Sequence, residues 1–199
     1  LGGRFATDEQ EFGLLPSLVR PGDWVLDVGA NVGHYTKRLS DLVGPKGRVI
    51  AFEPVPATFA LLAANAQLFA HRNVTLLNAA ASDRPGLAGI ELPEFTPGLT
   101  NFYQAHLSAG EGGGLSVLTM PIDALELKQP VALAKIDVEG HEAAVVSGMQ
   151  TLLRRFRPVL IVETNSESVI EQVCAIGYSA ERLPGSSNVL LRPMAPAAT

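Results

Sequence analysis

Along the chain, short apolar runs alternate with longer amphipathic stretches, and turn formers punctuate the joins. W-V-L-D-V at Trp24–Val28 is the first compact apolar run. It is too short for a helix and lies between a P-G-D turn and Gly29, so it predicts a buried strand. From Gly33 to Val43 the apolar residues fall at Tyr35, Leu39 and Leu42, a helical spacing that G-P-K-G at 44–47 terminates. The alternation then repeats. Arg48–Phe52 predicts a second strand, Ala57–Ala70 an Ala/Leu-rich helix, and Val74–Ala79 a third strand. Later come a strand at Ala132–Ile136, a helix at Glu142–Arg155, a strand at Val159–Glu163 and a helix at Ser166–Ile176. Two strands, Tyr178–Leu183 and Asn188–Leu191, close the pattern, and Asp8–Val19 predicts a short leading helix broken by Pro16.

The rhythm fails between Ser82 and Pro130, where strand-like runs at 88–92 and 115–121 flank a stretch dense in turn formers. Connections this long are uncommon and are usually functional or disordered. We therefore expect one domain over 1–199, with an N-terminal helix region at 1–20 and an insertion at 82–130. Strands alternating with helices imply an α/β fold, a doubly wound, mostly parallel sheet. Such sheets bind ligands beyond the carboxyl ends of their strands, where the strand order reverses. The residues that follow each strand are thus the ones that carry chemistry.

Composition narrows the classes. The net charge is −5 over 199 residues, without the basic footprint of a nucleic-acid binder. The local run Arg154, Arg155 and Arg157 is accounted for by a helix end, where cations oppose the macrodipole. The single cysteine, Cys174, allows no internal disulfide and fits a reducing, cytoplasmic setting. No apolar run approaches the length of a membrane span.

After the first strand come Asp27, Gly29, Asn31 and Gly33. Glycines admit a ligand to the backbone, and an acid there suits a cationic amine and repels a pyrophosphate. The dinucleotide fingerprint G-x-G-x-x-G is broken at Asn31, which speaks against a nicotinamide oxidoreductase. A plain strand–helix turn is the bland alternative. After the second strand, Glu53 is placed to accept hydrogen bonds from a ribose diol, or simply to cap the next helix. After the third, A-A-A-S-D at 79–83 leaves room for a flat ring that Ser82 could meet, or makes an ordinary small-residue turn. After the fourth, K-I-D-V-E-G-H-E gathers Asp137, Glu139, His141 and Glu142. Histidine is the usual general base near neutral pH, whereas Glu142 reads more simply as a helix N-terminal acid. Asp137, Glu163 and Asn165 together make an oxygen-rich magnesium or calcium site as a minority reading.

In this order, "DVGANVGHYT", "FEPVPATFALLAAN", "NAAASDRPG", "PIDAL", "KIDVEGHEAAVVSGM" and "RPVLIVE" resemble the motifs of the FkbM-type class I S-adenosylmethionine-dependent methyltransferases. The resemblance covers about residues 24–163. It implies a Rossmann-like seven-stranded methyltransferase sheet, mostly parallel with an antiparallel last strand. It implies S-adenosylmethionine as cofactor, with Asp27, Gly29, Asn31 and Gly33 along its methionine part and Thr36 in the same set. Glu53 would take the ribose hydroxyls, and Ala80, Ala81 and Ser82 would lie near adenine. Asp137 and Glu139 would face the reacting centre. Family members methylate hydroxyl groups, often of sugars or polyketide-type natural products. The expected function is accordingly O-methylation of a small-molecule hydroxyl, with no nucleic-acid partner and no membrane span. His141 is the expected general base, oriented or replaced by Asp137 or Glu139, and a divalent metal is not favoured. Residues 94–114, which match no family motif and contain Phe102 and Tyr103, are expected to form a lid over the acceptor, with a disordered surface insertion as the equal alternative. A degenerate module that binds cofactor only to recruit partners is the rival outside enzymes, and the intact Asp137/Glu139/His141 cluster argues against it.

Overall fold

The structure, a computed structural model, describes residues 9–91, 94–96, 99–100, 106–108 and 115–195. In chain order the strands are β1 (Trp24–Val28), β2 (Arg48–Phe52) and β3 (Val74–Leu77). β4 (Ala80–Ala81) precedes the insertion, which carries β5 (Gly86–Glu91), β6 (Glu94–Thr96), β7 (Leu99–Thr100), β8 (His106–Ser108) and β9 (Leu115–Met120). β10 (Val131–Ile136), β11 (Val159–Glu163), β12 (Tyr178–Arg182) and β13 (Asn188–Pro193) complete them. The helices are α1 (Gln10–Leu18), α2 (His34–Val43), α3 (Pro56–Ala66), α4 (Glu142–Ser147), α5 (Gln150–Phe156) and α6 (Glu167–Cys174).

A seven-stranded sheet runs β12-β13-β11-β10-β1-β2-β3. β1 pairs in parallel with β2 and β10, while β13 runs antiparallel to both β11 and β12. This is the expected α/β sheet with its last strand reversed. Chain order reverses at β1, so the crevice for a ligand opens beyond β1 and β10. The two faces bury different sets. Leu26, Val28, Ala134, Ile136 and Leu160 pack against α4, α5 and α6, and Val25, Val49, Leu133 and Ile161 pack against α1 and α2. On the second face the alternation continues from Val25 and Leu133 to Asp27 and Lys135, each only 1% exposed. Two charged groups thus end two apolar strand faces under the crevice.

Three local expectations change. Pro16 lies inside α1, which continues to Leu18, held by the buried Leu15. The Ala57–Ala70 helix is one turn shorter, ending at Ala66. The single helix expected over 142–155 is two helices, broken at Gly148 and Met149. A Cβ on Gly148 would lie 1.8 Å from the carbonyl oxygen of Ser82, so the break lets the chain pass against that loop.

Between β3 and β10 the insertion joins β4 in a small sheet ordered β4-β9-β5-β8. Ile90 and Val117 pack with Val55 and Ala80, which seats this sheet against the rim of the main crevice. Within 94–114 only the backbone of β6, β7 and β8 is described, so the expected lid, with Phe102 and Tyr103, falls largely outside the described residues. Among the described residues no helix is long and apolar enough to cross a membrane.

Candidate functional site

A cleft of about 690 Å³, including its open mouth, lies beyond the carboxyl ends of β1, β2 and β10. Its floor depends on Gly29. This residue has φ 86°, and a Cβ there would lie 1.7 Å from the carbonyl oxygen of Asp137. Only glycine lets the ends of β1 and β10 approach so closely. The N–H groups of Gly29 and Ala30 both donate to the carbonyl of Phe52, at 3.0 and 2.8 Å, tying the loop to β2. Asn31 follows in the left-handed region at φ 50°, a conformation asparagine tolerates, and its Oδ1 accepts from the Val32 N–H at 2.7 Å.

Glu53 sits at the end of β2 and is 5% exposed. Its Oε2 accepts from the Asn31 N–H and its Oε1 from the Val55 N–H, each at 2.9 Å. Both oxygens are anchored, and each keeps a second lone pair. Burial pushes its carboxyl up to about 7, against the two backbone bonds that favour the charged form. One wall beside it is made by Ala79, Ala80, Ala81 and Ile90.

Behind the cleft, Asp27 accepts a 2.5 Å bond from Thr36 Oγ1, and Thr36 is fully buried. Burial raises the Asp27 carboxyl to about 6, partly offset by Thr36 and Lys135. Neither Asp27 nor Thr36 is among the residues lining the cleft. Gly33 opens α2 at φ 97° and faces Leu62 and Phe69, away from the cleft. Ser82 also lies outside the lining, with its Oγ 3.0 Å from His141 Nε2 and donating to Asp83 at 3.2 Å. Of the residues expected from sequence, Gly29, Asn31, Glu53, Ala81, Asp137, Glu139 and His141 meet in one cleft. Asp27, Gly33, Thr36 and Ser82 support it from outside.

His141 is half-buried at the start of α4, and burial lowers its pKa although Asp83 and Glu142 push it upward. Glu142 accepts from the Gly140 N–H at 2.7 Å, so it closes the turn that opens α4. A second cavity of about 640 Å³ lies on the far side of this turn. It is lined by Glu163, Thr164, Asn165 and Ser187 among others, and the residues it shares with the cleft are Asp137 and Glu139. Glu139 stands at φ 44° in the wall between them. Burial pushes the Asp137 carboxyl up to about 6, with Lys135, 3.4 Å away, pulling it down and Glu163 pushing it up. Asp137, Glu163 and Asn165 do share this second cavity. No three His, Cys, Asp or Glu side chains among the described residues form a metal-ligating group.

Lys135 and Ile90 are the residues the sequence reading missed. A lysine inside the apolar run V-A-L-A-K-I was the available signal for the first. Nothing local distinguishes Ile90, which reaches the cleft only because β5 docks there.

Comparison with known proteins agrees with this geometry. The model of the methyltransferase FkbM domain matches residues 27–177. The 31-O-demethyl-FK506 methyltransferase FkbM of Streptomyces tacrolimicus is 30% identical, over 79% of this chain and 72% of that protein. The hexuronic acid methyltransferase AglP of Haloferax volcanii is 29% identical, over 70% of this chain and 55% of that protein. The crystal structure of methyltransferase FkbM from Methylobacillus flagellatus KT superposes with a TM-score of 0.63 at 17% identity, covering 88% of this chain and 45% of that one. The chain therefore spans about half the length of the second and third of these proteins. On the matched family model, the sheet topology and the 30% identical relative, the chain belongs to the FkbM methyltransferase family.

Proposed function

We propose that this chain transfers the methyl group of S-adenosylmethionine to a hydroxyl of a small polyhydroxylated molecule, a sugar or a natural product. The observation that carries the reading is the pair of cavities that share Asp137 and Glu139. The first suits the cofactor. Glu53, fixed by two backbone N–H groups, accepts from the ribose hydroxyls, and the small side chains of Ala79, Ala80 and Ala81 leave a slot for adenine. Gly29 and Asn31 border the methionine part. Asp27, held by Thr36, and Gly33 at the start of α2 support that loop from behind.

The second cavity takes the acceptor. Four carboxylates line it and no Lys or Arg does, among the described residues, which favours a neutral or cationic acceptor over an anionic sugar or a nucleic acid. The names of the two relatives, one acting on a demethylated FK506 and one on a hexuronic acid, support a natural-product or sugar hydroxyl as the class, while the acidic lining here disfavours an anionic sugar like that of the second relative.

The reaction then needs alignment and a proton acceptor. The acceptor oxygen forms a bond to the methyl carbon, the carbon–sulfur bond breaks, and its electron pair neutralises the sulfonium. The hydroxyl proton passes to a base. From sequence, His141 is the first candidate for that base. The geometry favours Asp137, because His141 lines only the cofactor cleft and its Nε2 is turned to Ser82. Asp137, with a carboxyl near 6, is mostly ionised at neutral pH and borders both cavities.

A screen with methyl-tritiated S-adenosylmethionine against neutral sugars, amino sugars, uronic acids, macrolide-type alcohols and RNA tests the reading. Label in an alkali-stable ether of an alcohol supports it. Label in RNA alone, or cofactor binding with no transfer to any acceptor, contradicts it.

A further inference from the structure

Lys135 is as deeply buried as Asp27, each at 1% exposure, and has no part in the reaction above. On β10 it shares its face with Leu133, which is fully buried among the apolar residues under α1 and α2. In the parallel pairing of β1 with β10, Lys135 is the register partner of Asp27. Two residues on, and so on the same face, comes Asp137, whose Oδ2 lies 3.4 Å from Nζ. Among the described residues Nζ makes no hydrogen bond of good geometry; it pairs with the Asp137 carboxylate, acts on Asp27 through charge alone, and lies 5.2 Å from the centroid of the Tyr35 ring. Tyr35 is itself fixed, because its hydroxyl donates to Glu9 and lies 3.4 Å from Glu11 on α1.

A buried lysine stem could be replaced by an aliphatic side chain at little cost if only packing mattered. Keeping the ammonium makes sense where it controls its neighbours. The titratable groups that face Asp137 are Glu163 from β11, Tyr35 from α2 with Glu9 and Glu11 behind it, and Lys135, while Asp27 from β1 faces Lys135 from the other side of the pair. Among these, Lys135 supplies the positive charge.

We propose that Lys135 is a positioning residue that keeps the carboxylates of Asp27 and Asp137 ionised and aligned, coupling the cofactor loop to the proton-accepting wall. The proposal rests on the reading of Asp137 as proton acceptor. Before the cofactor binds and after it leaves as the neutral thioether, no sulfonium is present to stabilise these acids. Lys135 then does so, and Asp137 starts each turnover ready to accept a proton. Burial alone favours the protonated form, most strongly at Asp27, which is 1% exposed, and less at the partly exposed Asp137.

The test compares Lys135→Met, Lys135→Gln and Lys135→Arg with the wild-type chain. One readout is the titration of the Asp137 carboxyl carbon by NMR, with and without S-adenosylhomocysteine. The other is the pH profile of kcat/KM with whichever alcohol the acceptor screen identifies. In Lys135→Met or the nearly isosteric Lys135→Gln, the Asp137 midpoint and the acid limb should both rise by about one pH unit or more. Lys135→Arg should restore both to near the wild-type position. Unchanged midpoints in the neutral variants overturn the inference, as does a shifted limb with an unshifted Asp137 midpoint. A shifted midpoint with an unshifted limb upholds the role of Lys135 and removes Asp137 as the base. If neither neutral variant folds, failure of Lys135→Arg to retain the wild-type midpoint overturns it.

Discussion

Replacing Glu53 by alanine should separate a binding role from a structural one. The wild-type carboxylate accepts from the N–H groups of Asn31 and Val55, and its free lone pairs face the cleft. Loss of the ribose bonds removes hydrogen bonds to a charged acceptor, worth about 1.5–3 kcal/mol. S-adenosylhomocysteine should therefore bind roughly 10- to 150-fold more weakly in isothermal titration. Stability responds differently. The carboxyl is raised from 4.5 to about 7 in the folded chain, so the folded state holds the proton more tightly than the unfolded one. Its ionisation costs stability as pH rises between those values, and the cost is fully present above about 7. That cost integrates to about 2–3 kcal/mol between about pH 5 and 8. The alanine variant lacks it. Relative to wild type, the variant should gain that amount in urea unfolding free energy between those two pH values, whatever its offset from the lost backbone bonds. Unchanged cofactor affinity would remove Glu53 from the ribose site. A stability difference that is flat across this range would refute the reasoning from burial.

Gly29→Ala should lower stability by at least about 2 kcal/mol and abolish cofactor binding, since it adds a clash with the Asp137 carbonyl to left-handed strain. Gly140→Ala, at φ 84° with open space around the new Cβ, should lose only the conformational part, about 1–2 kcal/mol, and equal losses in urea melts would contradict the close-approach argument. Asp137→Asn should reduce kcat by about 10²- to 10⁴-fold with cofactor affinity nearly unchanged. His141→Ala should raise the cofactor KM and leave kcat within about tenfold, and the reverse pattern would return the base to His141.

Much of the fold is legible because its signals are local. Trp24–Val28, Arg48–Phe52 and Val159–Glu163 match the expected strands residue for residue, since each is an apolar run closed by turn formers. Glu53 and Asp137 could be singled out because an acid at a strand end is conspicuous in sequence. What stayed hidden depends on contacts between distant segments. The break at Gly148 exists because the Ser82 carbonyl occupies the space of a side chain. His141 and Ser82 lie 59 positions apart, and nothing in either motif joins them. Asp27 and Thr36 read as cofactor contacts by position, yet their depth beneath the loop depends on how α2 packs on β1. Lys135 stands out as a lysine inside an apolar run, but its place beside Asp27 follows from the register of β1 with β10.

The most direct test of the account is a crystal structure of this chain with S-adenosylhomocysteine. In that complex the ribose hydroxyls should lie within hydrogen-bond distance of Glu53, adenine beside Ala79–Ala81, and the sulfur facing the wall of Asp137 and Glu139. A ligand whose sulfur points away from that wall, or whose ribose does not touch Glu53, would contradict it.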